Sequence, residues 1–173
     1  MQILTSIKRV LDFIISWFCI IVLAIMTVLV SYQVVTRFVF NNPSAVSEIL
    51  AQYLFVWSVM LGSAYVFGMR EHLSITILKD KMPPLLNMLT EILIAITLIA
   101  FSYGVCIKGG MANTVLQMAA TDASLGIPMG VIYAVIPISG AFMVFYAIYN
   151  IALAVQEYKN HTVRKSDDTA GTM

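Results

Sequence analysis

The chain has 173 residues, of which 60% are hydrophobic and 11% charged, with ten Lys and Arg against nine Asp and Glu. A soluble domain carries roughly a quarter charged residues, so this composition, with its mean hydropathy of +0.90, excludes an ordinary water-soluble fold. The net charge of +1 is uninformative by itself, since orientation in a membrane follows Lys and Arg rather than net charge; no nucleic-acid partner is expected.

Four apolar runs dominate, at roughly Val10–Val35, Ile49–Met69, Leu85–Ile107 and Pro128–Val155. Each reaches the ~20 residues that a transmembrane helix needs. Cations alternate across the connections. Lys8, Arg9, Arg70, Lys79, Lys81, Lys159, Arg164 and Lys165 fall on one side of the runs, and only Arg37 and Lys108 fall on the other. Lys and Arg are enriched on the cytoplasmic face of membrane proteins. The pattern therefore predicts an all-α integral membrane protein of four transmembrane helices with both termini cytoplasmic. A single membrane domain is expected over residues 1–158, with a polar, disordered tail at 159–173.

In chain order, Ile3, Leu4, Ile7, Val10 and Leu11 have helical spacing and predict a stretch lying on the inner surface before span one. The apolar run behind Lys8 and Arg9 exceeds the roughly 7–15 residues of a cleavable signal, so an uncleaved first span is expected. Asn41-Asn42-Pro43-Ser44 is an outer turn, and Ser44 or Ser47 can cap span two. Arg70-Glu71-His72 marks the inner end of that span, Leu73–Leu78 is expected along the inner surface, and Pro83-Pro84 breaks the chain before span three. Gly109-Gly110 is expected to release span three near Lys108. Met111, Val115, Met118 and Ala119 then predict a short interfacial helix in the outer connection. Gly126-Ile127-Pro128 opens span four, and Pro137 predicts a kink in it.

HExxH, GxSxG, Walker and Cys-x-x-Cys patterns do not occur, and His72 and His161 both lie outside the runs, where they cannot ligate an intramembrane haem. The expectation is a protein that is not an enzyme and has no cofactor or metal. Cys19 and Cys106 fall at different depths and are expected to stay unbridged. Ionisable groups within spans are functional candidates by default. Glu91, about two turns into span three, is either a proton or cation site or an acid reaching headgroup water; with Arg70 and His72 it forms the candidate inner interface. Arg37 and Glu48 bracket the outer hairpin, with Gln33 and Gln52 one turn away on the same faces. They read as a solute site or as a salt bridge with amide contacts that fixes the hairpin or grips a neighbouring protein. Small-xxx-small pairs at Ser58/Gly62 and Gly126/Gly130, together with Gly68 and Pro137, are candidate helix-packing positions.

Several of these residues recur in a fixed order. Arg37 follows span one, Glu48 starts span two, and Leu61-Gly62 follows an aromatic within it. Arg70-x-His72-Leu73 closes that span, and Ile127-Pro128, Tyr133 and Ile136-Pro137 lie in span four. In this order and spacing the chain, from about Val10 to Val155, resembles the small (DctQ-like) membrane subunit of tripartite ATP-independent periplasmic, or TRAP, transporters. Many members have two adjacent acids where this chain has Ser47-Glu48, and a Trp where it has Met129. The resemblance implies a location in the bacterial inner membrane, in contact with lipid. It implies two protein partners: a large membrane subunit holding the Na⁺ and substrate sites, and a periplasmic substrate-binding protein. The role implied is a scaffold in sodium-driven import of an organic acid of the dicarboxylate or sialic acid type. The alternative is a self-sufficient proton-coupled multidrug-type exporter, with Glu48 or Glu91 as the proton carrier.

Overall fold

The computed structural model of the chain describes residues 2–42, 44–69 and 84–170. Arg70, His72, the Leu73–Leu78 segment, Lys79 and Lys81 lie outside the described residues. Four helices are long and apolar enough to cross a membrane: Leu4–Phe38, Ala45–Gly68, Leu85–Gln117 and Met129–Gln156.

Helix α1 (Gln2–Phe38) is a single element of 37 residues, about 55 Å at ~1.5 Å per residue. It contains neither Gly nor Pro, so nothing interrupts its hydrogen-bond ladder. The N-terminal stretch expected to lie separately on the surface is instead the first turns of this helix. At the far end Asn41 turns the chain with φ 49, a left-handed backbone that Asn tolerates better than other residues with a side chain. Ser44, in an extended conformation, caps α2 (Ala45–Gly68), and its side chain accepts the Ser47 N–H at 3.5 Å. Ser47 Oγ donates back to the Ser44 carbonyl at 2.9 Å.

The third span departs from expectation. Helix α3 (Pro84–Phe101) passes into a π-helical segment, Ser102–Gly109, and then into α4 (Gly110–Gln117) without a break. Gly109 and Gly110 do not release the helix: their φ values are −65 and −62, both right-handed helical. The helix expected in the outer connection is present as α4, but as a continuation of span three. The last span starts as α5 (Met129–Tyr133), is interrupted at Ala134, and resumes as α6 (Val135–Ala170). Pro137 accounts for the interruption, because it lacks an N–H for the Tyr133 carbonyl and its ring crowds that oxygen. The α6 backbone stays helical to Ala170, through residues whose polarity predicts no fixed structure; from Ala141 to Ala170 it meets neither Gly nor Pro.

The spans pack as a row. Helix α2 lies between α1 and α6, and α6 packs in turn against α3 and the π-helical segment. The fourth span is accordingly the most buried, and the first and third are the least. Buried residues of three helices form the core: Ile15 of α1, Leu61 of α2, and Val135 and Tyr146 of α6, with Trp57 and Phe145 packed against them. The outward faces of α1 and α3, including Phe13, Ile14, Val28, Leu93 and Ile96, are apolar and exposed.

Candidate subunit-contact site

Three polar side chains meet at the hairpin end of α1 and α2. Gln33 of α1 and Glu48 and Gln52 of α2 line a groove of about 370 Å³ together with Met26, Val30 and Phe55. Helical spacing produces this arrangement: 26, 30 and 33 share one face of α1, and 48, 52 and 55 share one face of α2. The fourth member expected here, Arg37, does not join them. Its guanidinium stands 5.9 Å from the centroid of the neighbouring Phe38 ring. Among the described residues the ion pair that forms is Lys8–Asp12, so Arg37 and Glu48 do not pair. The groove thus presents one carboxylate and two amides above an apolar floor. It can accept and donate hydrogen bonds, but its groups are not arranged as an ion cage.

A second polar cluster holds the connection between α4 and α5 against α2. Thr121 and Pro128 face each other across a tight loop, with Asp122 N–H bonded to the Ile127 carbonyl at 3.0 Å and Met129 N–H to the Ala120 carbonyl at 2.8 Å. Asp122 is buried inside it. One carboxylate oxygen accepts the Ser124 and Leu125 N–H groups at 2.8 and 2.9 Å, and the other accepts the Tyr53 hydroxyl at 2.5 Å. The Tyr53 hydroxyl first, and then the backbone N–H groups, hold the Asp122 carboxyl below the usual carboxylate range. A depressed folded-state pKa contributes stability that is complete above the unfolded value, about 4, and is lost as pH falls through the folded one. Amide protection of Ser124 and Leu125, corrected for intrinsic exchange, is therefore expected to be flat from pH 8 to 5 and to fall below about 4. Asp122→Asn should remove that pH dependence. A protection profile that declines already near neutrality would contradict the assignment.

At the opposite end Asp12 joins α1 to α6. Its two oxygens accept Lys8 Nζ at 2.6 Å and the Tyr146 hydroxyl at 2.7 Å. Lys8 Nζ also lies 6.0 and 5.7 Å from the ring centroids of Tyr146 and Tyr149. Asp12 is not simply a boundary acid in water, as its place at the start of the apolar run suggests. Helix α2 completes the junction: a Cβ built on Gly68 would lie 2.6 Å from the Tyr146 ring, and Asn150 Nδ2 donates to the Phe67 carbonyl at 3.3 Å.

The small residues divide into contacts and non-contacts. Gly68 and Gly130 sit at close approaches; a Cβ on Gly130 would come 2.6 Å from the Thr114 carbonyl oxygen. Gly62 faces open space, and Gly126 (φ +65) serves the turn. Ser58 holds a buried hydroxyl without a hydrogen-bond partner among the described residues. Two close approaches escaped the small-xxx-small pattern. A Cβ on Gly110 would meet Ile136 at 2.8 Å, and one on Gly140 would meet Cys106 Cβ at 2.6 Å. Glu91 lies in α3 and is half-buried. Cys19 and Cys106 are free thiols.

Comparison with known proteins gives concordant matches. The family model for the DctQ component of tripartite ATP-independent periplasmic transporters matches residues 26–157. A protein of Haemophilus influenzae bearing the name of a TRAP transporter small permease protein is 30% identical over 122 residues, 70% of this chain and 75% of its own length. The sialic acid TRAP transporter small permease protein SiaQ of Vibrio cholerae is 28% identical over 129 residues, 75% of this chain and 74% of its own length.

Proposed function

The chain belongs to the DctQ component family of tripartite ATP-independent periplasmic transporters, and from that premise we propose that it is the scaffold subunit of a sodium-driven importer in a bacterial inner membrane. It partners a large membrane subunit that holds the main solute and Na⁺ sites, and a periplasmic binding protein delivers the solute. The solute is an organic acid of the sialic acid or dicarboxylate type; the name of the Vibrio relative favours the former. The one-sided distribution of eight of the ten Lys and Arg supports an orientation with both termini in the cytoplasm.

The observation that carries this reading is the row of spans. Four helices packed side by side leave the first and third spans largely uncovered. Such a layer can extend the wall of a larger membrane protein through van der Waals contacts and interhelical hydrogen bonds. The self-sufficient exporter finds no support in this arrangement. Glu48 stands in the first turn of α2, whereas a single acid serving both faces in turn would sit deep in the membrane.

Reconstitution tests the proposal. Liposomes holding this chain with its large subunit, supplied with the binding protein, are expected to accumulate sialic acid or a C4-dicarboxylate under an inward Na⁺ gradient. Liposomes holding this chain alone are expected to accumulate neither. Uptake by this chain alone would reject the scaffold role.

A further inference from the structure

The stripe of α2 that lines the α1–α2 groove runs on beyond it. Glu48, Gln52, Phe55, Val59 and Gly62 recur at i, i+4, i+7, i+11 and i+14, a single face about 21 Å long. Its two ends differ in chemistry. At the hairpin end the Glu48 carboxylate and the Gln33 and Gln52 amides line the groove without hydrogen-bond partners among the described residues. At the other end a Cβ built on Gly62 would meet nothing within 4 Å, although a glycine in mid-helix costs about 1 kcal/mol against alanine.

We propose that this face receives a transmembrane helix of the large membrane subunit, with an Arg or Lys of that helix meeting Glu48 and its backbone passing close over Gly62. The inference rests on reading the chain as the small subunit of a two-component permease. Charge complementarity selects the occupant. A carboxylate beside two amides is poorly served by lipid tails and well served by a cationic donor, and the amides can bond across to a second helix. The length of the face argues the same way. A headgroup could answer Glu48, but an acyl chain makes no use of a glycine notch four turns deeper, whereas small residues are what allow two helix backbones to approach.

Site-directed photo-crosslinking tests this in the full chain co-expressed with its large subunit. Benzoylphenylalanine at Val30, Phe55 or Val59 is expected to yield an adduct of the combined mass of the two subunits. The yield should be at least tenfold above that from Leu93 or Ile96 on α3, and the cross-linked peptide should carry an Arg or Lys within two turns. Glu48→Lys should lower the co-purified large subunit about tenfold, and Glu48→Gln by less. The melting temperature of the isolated chain should hold in both, because the Glu48 carboxylate has no partner among the described residues. Lipid-only adducts from the groove, equal yields from α3, or undiminished co-purification of Glu48→Lys would overturn the inference. Failure of the unsubstituted chain to bind any large subunit would instead reject the two-component reading, and it would be seen before any cross-linker is introduced.

Discussion

Gly130→Ala and Gly140→Ala should each destabilise the isolated protein by about 1–3 kcal/mol, and Gly62→Ala should not destabilise it at all. The size follows from what the added methyl meets. At Gly140 it would lie 2.6 Å from Cys106 Cβ and 3.2 Å from Ile107 Cγ1; at Gly130 it would lie 2.6 Å from a backbone oxygen of Thr114. Neither neighbour is the far end of a pliable side chain, so the helices themselves must separate, and overpacking of this kind typically costs ~1–3 kcal/mol. At Gly62 the methyl enters open space, and the higher helix propensity of alanine favours the variant by up to ~1 kcal/mol. Unfolding in a single detergent checks all three. A destabilised Gly62→Ala beside an unchanged Gly140→Ala would mean that the contact between the π-helical segment and α6 has been placed wrongly.

Asp12→Ala should cost about 2–3 kcal/mol and Tyr146→Phe about 1. Removing the carboxylate strands both a buried tyrosine hydroxyl and an ammonium whose side chain is 19% exposed. Leaving a buried polar group without a partner costs ~1–3 kcal/mol, and the ion pair, intermediate between exposed and buried, adds to this. Removing only the hydroxyl leaves Lys8–Asp12 intact and forfeits one hydrogen bond, about 1 kcal/mol. Denaturant unfolding of the two variants separates the cases. Equal losses would show that the Lys8–Asp12 pair contributes nothing.

The four spans and their order were legible because length and apolarity alone decide them. The expected release at the glycine pair failed because the same residues serve two structures. A glycine pair after an apolar run is the composition of a helix end and also of a close helix contact. Only the right-handed φ at Gly109 and Gly110 separates the two. Pro137 signalled a disturbed helix correctly, yet the interruption falls at Ala134, since proline acts on the carbonyl four residues before it. Gln33, Glu48 and Gln52 could be grouped because helical periodicity holds within each span. Arg37 shares that periodicity but does not reach Glu48, its guanidinium standing by the Phe38 ring instead, because periodicity says nothing of which rotamer a long side chain takes. The Tyr53–Asp122 bond links residues 69 apart. Asp122, followed by Ser124 and Gly126, carries turn chemistry, but nothing local points to a tyrosine on another helix.

The π-helical segment has a bearing on how α4 meets its neighbours. Its wider turns advance each residue through a smaller angle than an α-helix does, so Ser102–Gly109 works as a phase shifter between two otherwise regular stretches. The shift keeps Ser102, Cys106, Gly110 and Thr114, each four residues from the last, on one stripe against the fourth span: Ser102 meets Met143, Cys106 meets Gly140, Gly110 meets Ile136 and Thr114 meets Gly130. Lengthening or shortening the chain by one residue within this stretch would leave the hydropathy profile almost unchanged, yet it would rotate everything from Gly110 to Gln117 out of mesh with α5 and carry the Asp122 loop away from Tyr53.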